Sequence, residues 1–85
     1  MNTPHYTIDT VRLFMQKLDN DTQIAADKSL IELANECEEL YRSIEPLKNK
    51  LEAGEELTEA ENNAIRSTMK HNYKTMSMAI MPDQD

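Results

Sequence analysis

The chain has 85 residues, a formal net charge of −7, a single cysteine and one glycine. A chain of this length has room for one domain with a modest core, and we expect a single helical domain over residues 1–85. Its acidity argues against direct nucleic-acid binding, which needs a basic surface, and it contains no apolar run near the ~20 residues of a membrane span. A lone cysteine excludes an intrachain disulfide, so we expect a protein of the reducing cytoplasm.

The first predicted element is a short helix after a loose lead-in over residues 1 to 6. Thr7 is expected to cap this helix, and Asn20–Asp21 to end it. Asp21 or Thr22 then caps the second helix. The apolar face of the first helix repeats at helical spacing: Ile8, Val11, Phe14, Met15 and Leu18.

The second predicted helix carries the strongest pattern in the chain, between Leu30 and Leu51. Alternating three-residue and four-residue steps place seven apolar side chains along one side: Leu30, Leu33, Cys37, Leu40, Ile44, Leu47 and Leu51. Such a narrow stripe needs a partner helix. Pro46 lies within it but away from the stripe, so we expect a bent continuous helix, with a break near residues 43–45 as the lesser alternative.

A third predicted helix follows a short link. Gly54 is expected to form a left-handed C-terminal cap, and Thr58 with Glu61 to form a capping box. Its apolar positions are Ile65, Met69, Tyr73, Met76 and Ile80, and Met81–Pro82 ends it. Folded back on the second helix, these positions pair in one register, with Leu40 facing Tyr73 and Cys37 facing Met76.

The predicted fold is therefore all-α: an antiparallel helical hairpin of the second and third helices, plus a short N-terminal helix. Four apolar side chains fall outside the stripes: Leu13, Tyr41, Met78 and Met81. Such leftover apolar surface is usually covered by another subunit, so we expect a homo-oligomer. The alternative is a monomer with scattered surface methionines.

No arrangement of side chains typical of catalysis is present, so we expect a non-enzymatic protein without a cofactor. Cys37 lies on the apolar stripe, where a lone cysteine is usually a small buried hydrophobe. His5 and His71 are far apart and lack the spacing of zinc ligands, and no metal site is expected.

The candidate site is a basic row on the third helix, formed by Arg66, Lys70 and Lys74. The three cations step by four residues and thus share one helix face. Hydroxyl groups and an aromatic ring adjoin them, a combination that suits phosphate and base recognition in a nucleotide-like ligand. The alternative is that the row pairs with carboxylates of the second helix or of a neighbouring subunit.

The segment Ala64-Ile65-Arg66-Ser67-Thr68-Met69, with Tyr73 and Met78-Ala79-Ile80-Met81-Pro82, resembles the closing helix of phage anti-CBASS sponge proteins. These are small helical proteins that assemble into oligomers and sequester cyclic di- and trinucleotide signals, which blocks host antiviral defence. The resemblance implies action in the host cytoplasm and ligand contacts from Arg66, Ser67, Thr68, Lys70 and Tyr73, with Lys74 from the basic row. It adds Tyr6 and Lys28 as contributors across an interface.

Two other functions stay open at this point. An acidic phage-like inhibitor could dock on a basic, DNA-handling host protein, because a charge of −7 suits such a partner. A purely structural assembly module, in which the apolar stripes are the whole function, is the other.

Overall fold

The computed structural model describes residues 6–80, apart from the side chain of Ile80, and these residues form three helices and no strand. They are α1 (Ile8–Asp27), α2 (Ile31–Glu52) and α3 (Glu59–Ile80). The predicted all-α class is confirmed. The expected lead-in before Tyr6, with His5, and the expected helix end at Met81–Pro82 lie outside the described residues.

Helix α1 begins where the sequence predicts but ends later. The Thr7 hydroxyl accepts a hydrogen bond from the Thr10 N–H at 3.2 Å, so the predicted cap is confirmed. The predicted end at Asn20–Asp21 is wrong, as is the short first helix, because α1 has 20 residues and continues to Asp27. Asp21 is buried inside the helix, and the Thr22 hydroxyl donates to the Leu18 carbonyl at 2.8 Å.

The turn between α1 and α2 is a Schellman motif with serine in the left-handed position. Ser29 has φ 61°, the Ser29 N–H donates to Ala26 O, and the Leu30 N–H donates to Ala25 O. Helix α2 therefore starts at Ile31, and the predicted caps Asp21 and Thr22 for the second helix are wrong.

Helix α2 runs without interruption from Ile31 to Glu52 and includes Pro46, whose ring is exposed. The predicted continuity is confirmed and the alternative break near residues 43–45 does not occur, while the bend stays a prediction. An exposed proline costs one backbone hydrogen bond without displacing core side chains. Gly54 follows with φ +82°, and the Glu55 N–H donates to Lys50 O, so the predicted left-handed cap is also confirmed.

Helix α3 starts with the predicted capping box. The Glu61 N–H donates to the Thr58 hydroxyl at 3.1 Å, and the Thr58 N–H donates to the Glu61 carboxylate at 2.8 Å. Lys50 of α2 donates to the same carboxylate at 2.7 Å. Its bond to Lys50, followed by the Thr58 N–H, lowers the pKa of Glu61 below its usual value.

The closest helix pair is α1 with α2, whose backbones approach along a hairpin, while α3 stands farther from both. The prediction that the second and third helices form the hairpin is therefore wrong, because the closely packed hairpin is that of α1 and α2. Small side chains explain the difference: Ala25, Ala34 and Cys37 are buried together near the α1–α2 turn.

The core consists of two clusters of buried side chains. The larger one joins all three helices and the α2–α3 link: Val11, Phe14, Met15, Leu18, Ile44, Leu57 and Ile65. The smaller one unites Cys37 with Met76, which supports the predicted register at that pair. Tyr73 does not face Leu40 as predicted, because its side chain is 58% exposed and lines a groove with α1 residues.

Two of the apolar side chains outside the stripes are exposed as the sequence suggests: Leu13 is 67% and Met78 72% accessible. Tyr41 packs partly against the larger cluster, and Met81 lies outside the described residues. The homo-oligomer stays a prediction. None of the described helices is both long and apolar enough to cross a membrane.

Replacing Ser29 by glycine is expected to raise the free energy of unfolding by about 0.5–1 kcal/mol. A non-glycine residue at positive φ is strained by roughly 1–2 kcal/mol, and glycine relieves this strain. Part of the relief is offset, because glycine has more conformational freedom to lose when the chain folds. Urea denaturation measures the change.

The matched control is the opposite exchange at the end of α2, Gly54→Ser, which should lower the free energy of unfolding by about 1 kcal/mol. A Cβ at residue 54 meets no atom within 4 Å, so this substitution tests the strain of the left-handed backbone conformation without any steric clash. Equal signs for the two substitutions would contradict this account of the turns.

Glu61→Gln is expected to reduce stability at neutral pH and to reduce it less in acid. A carboxylate with a lowered pKa stabilises the fold above its ordinary value of 4.5, and this stabilisation is lost as pH falls through the folded pKa. Glutamine keeps the capping box but not the charge. The urea midpoint of the variant should therefore lie below that of the unmodified protein at neutral pH, and the two midpoints should converge well below pH 4.5. A difference between the two proteins that is constant with pH would contradict the assignment.

Candidate functional site

The basic row, Arg66, Lys70 and Lys74, lies on the exposed side of α3. Because successive members are four positions apart, the row extends about 12 Å along the helix. The side chains thus present three positive charges in a line on one surface, as the sequence predicts.

The charges of the basic row are free of ion pairs with described residues. The nine lysines and arginines of the chain all lie in residues 6–80, and five of them bond to carboxylates there: Arg12, Lys17, Arg42, Lys48 and Lys50. The remaining four are Lys28 and the basic row. The predicted alternative, in which the row pairs with carboxylates of the second helix, therefore does not occur among residues 6–80.

Tyr73 lies between Lys70 and Lys74 in sequence and at the border between the basic row and α1. Its ring lines a groove of about 280 Å³, which we call the Tyr73 groove, together with Thr10, Leu13, Phe14, Lys17 and Met69. The Lys17 ammonium lies 4.5 Å from the ring centroid, a cation–π contact. An aromatic surface with apolar neighbours is thus placed beside the row of cations.

A buried polar group, here called the Lys17 cluster, fixes this arrangement and consists of Lys17, Asp21 and Asn72. The Lys17 ammonium bonds to the Asp21 carboxylate and to the Asn72 side-chain oxygen, each at 2.6 Å. The Asn72 amide donates to Asp21 at 3.2 Å. Because Asn72 is only 1% exposed, the neighbouring Tyr73 is turned out of the core and towards α1.

The other predicted ligand residues are placed less favourably. Ser67 is exposed on α3, whereas the Thr68 hydroxyl already donates to Ala64 O at 2.8 Å. Tyr6 and Lys28 lie at opposite ends of α1, which is about 30 Å long, so one chain does not bring both to the basic row. A role for them across an interface stays a prediction.

The remaining chemically active side chains are engaged elsewhere. His71 pairs with Glu36 of α2, on the side of α3 that faces α2. Burial raises the pKa of the Cys37 thiol, and the nearby Asp21 and Glu36 carboxylates act in the same direction. The thiol is thus protonated at neutral pH and a poor nucleophile. Within residues 6–80, no three side chains form a group that could hold a metal ion.

Sequence reasoning missed the Lys17 cluster, although a signal for it was present. The buried positions of α3, together with the partly buried Met69, follow an unbroken spacing of three and four residues: Asn62, Ile65, Met69, Asn72 and Met76. Counting only apolar residues selects Tyr73 instead of Asn72. A buried asparagine on such a stripe is known to fix helix register, and Lys17 with Asp21 has the spacing of a helical ion pair.

Comparisons of the chain with protein-family models, with curated protein sequences and with solved structures found no match.

Asp21→Ala is expected to lower the free energy of unfolding by about 1–3 kcal/mol, because it removes the acceptor that the Lys17 ammonium and the Asn72 amide share and leaves Lys17 with the Asn72 oxygen alone. The Lys17 side chain is 28% exposed and can reach water, so the loss should stay below the roughly 3–5 kcal/mol of a fully buried pair. Urea denaturation measures the loss.

Asp19→Ala provides the control on the same helix. Asp19 is exposed and has no ion pair with a described residue, so its removal should change stability by less than about 0.5 kcal/mol. Equal losses for the two variants would mean that the Lys17 cluster contributes little.

Proposed function

We propose that this protein is a non-enzymatic binding protein for a small phosphate-bearing ligand, held along the basic row of α3. The observation that carries the proposal is that the cations of the basic row are not paired with carboxylates of the described residues. In a chain with 16 acidic side chains, the three cations of one exposed helix face form no ion pair with a described residue.

Charge-assisted hydrogen bonds explain how the row would hold a phosphate. The Arg66 guanidinium can bind two phosphate oxygens at once, and the Lys70 and Lys74 ammonium groups act as point charges beside it. The ~12 Å length of the row exceeds what a single phosphate needs. A ligand with two or more phosphates therefore suits it better than a simple anion.

The Tyr73 groove supports a ligand that also carries a flat ring. Its volume of about 280 Å³ is near the lower end of the roughly 300–1,000 Å³ of ligand pockets, so it suits one ring rather than a whole ligand. Stacking on an aromatic side chain is a sequence-tolerant way to bind a base. A nucleotide, with its base at Tyr73 and its phosphates on the row, combines both features.

The resemblance of residues 64–82 to anti-CBASS sponges narrows the proposed ligand to cyclic di- and trinucleotides. Sequestration of such a signal requires binding and no chemistry. The Cys37 thiol, buried and with a raised pKa, is consistent with a non-enzymatic role.

Arg66→Ala is expected to weaken cyclic dinucleotide binding by about tenfold or more, since hydrogen bonds between charged groups contribute roughly 1.5–3 kcal/mol. The melting temperature of the free protein should change little, because Arg66 is exposed and without an ion pair to a described residue. Calorimetric titration of both proteins with cyclic di- and trinucleotides measures the effect.

Arg42→Ala is the matched control, because Arg42 is also an exposed arginine, lies on α2 and has its guanidinium 3.5 Å from the Glu38 carboxylate. Its removal should leave ligand affinity unchanged. If the unmodified protein shows no heat of binding with ligand up to millimolar concentration, or if both arginine variants lose affinity equally, the proposal is wrong.

A further inference from the structure

A second surface lies on the α1–α2 hairpin and takes no residue from α3. Two adjoining cavities of about 590 and 350 Å³ share Asp19 and Tyr41 and are lined by α1 and α2 alone. Along α1 their lining extends from Asp9 to Thr22, about 20 Å, which is the length of a helix of about 13 residues. We call this continuous surface the α1–α2 groove.

The α1–α2 groove has an apolar strip formed by Leu13, Met15 and Tyr41. Leu13 is 67% exposed, Met15 is buried, and the partly buried Tyr41 packs against the core. An amphipathic helix binds such a groove with side chains spaced three and four residues apart. The length and the apolar strip thus both suit a helix.

The charges around the strip are unbalanced towards negative. The three cations of the lining bond to two carboxylates, because Arg12 and Lys48 share Glu52 and Arg42 bonds to Glu38, which leaves one positive charge in excess. Three further carboxylates of the lining, Asp9, Asp19 and Glu45, form no ion pair with a described residue. These three carboxylates outweigh the excess and leave a net charge of −2. Asp19 and Glu45 both lie in the cavity that contains Tyr41.

We propose that the α1–α2 groove binds a basic amphipathic helix of another protein. Apolar side chains of that helix pack on Leu13 and Tyr41, and its lysines or arginines face Asp19 and Glu45. A second copy of this chain fits the groove poorly, because two chains that each carry −7 repel one another, whereas a basic partner is attracted. This surface contains no residue of the basic row and shares only Leu13 with the lining of the Tyr73 groove. The peptide test below contains no nucleotide, so its outcome does not depend on the proposed ligand.

The test uses a synthetic helical peptide of about 14 residues composed of leucine and lysine, and its counterpart in which glutamate replaces lysine. Isothermal titration into the 85-residue chain at physiological ionic strength should show one lysine peptide bound per chain and no binding of the glutamate peptide. Leu13→Ala and Tyr41→Ala should each weaken binding about tenfold or more. Leu13→Ala decides the case if Tyr41→Ala fails to fold, because Leu13 is largely exposed.

A pair of charge reversals separates a specific groove from general attraction. Asp19→Lys and Glu39→Lys change the net charge equally, but Glu39 is exposed and outside the groove lining. Asp19→Lys should weaken the lysine peptide at least tenfold and Glu39→Lys by less than threefold. Equal weakening, binding of the glutamate peptide, or a homodimer in sedimentation that Leu13→Ala dissociates would each overturn the proposal.

Discussion

The position of α3 depends on one buried polar contact, in which the Lys17 ammonium lies between the Asp21 carboxylate and the Asn72 side chain. Helix α3 stands farther from its neighbours than α1 does from α2, and polar and apolar side chains alternate among its buried positions. An apolar stripe tolerates sliding and rotation at small cost. A hydrogen-bonded polar group does not tolerate such movement, because any displacement leaves a buried donor or acceptor without a partner.

Rotation of α3 about its axis decides which of its side chains meet solvent. With Asn72 in the core, Tyr73 lies at the α1 border, and the basic row, offset from it around the helix, faces outward. With Tyr73 in the core instead, as the apolar count suggested, Asn72 would leave its partners and Lys17 would lose an acceptor. The same contact that orders the core therefore also sets the candidate ligand face.

The features predicted correctly are those governed by local chemistry. The caps at Thr7, Gly54 and Thr58 depend on residues within one turn, and each is formed as expected. The end of α1 was missed because Asp21 is a good capping residue in isolation, whereas here its carboxylate bonds to Lys17 one turn earlier in α1 and to Asn72 of α3. The row Arg66, Lys70, Lys74 was predicted from spacing alone, whereas the groove beside Tyr73 needs the position of α1, which no local pattern encodes.

Ion pairing divides the surface into two faces of opposite character. The Arg12–Glu52 pair joins α1 to α2, and the Lys50–Glu61 pair joins α2 to α3. In each pair a cation and a carboxylate neutralise one another. The exposed Arg12–Glu52 pair contributes little stability, so its main effect is on the distribution of charge. Among residues 6–80, the ion pairs leave the basic row of α3 and the groove carboxylates Asp9, Asp19 and Glu45 without ion pairs. Charge of opposite sign on two separate surfaces is the reason why we propose two different occupants, a phosphate-bearing ligand for the basic row and a basic helix for the α1–α2 groove.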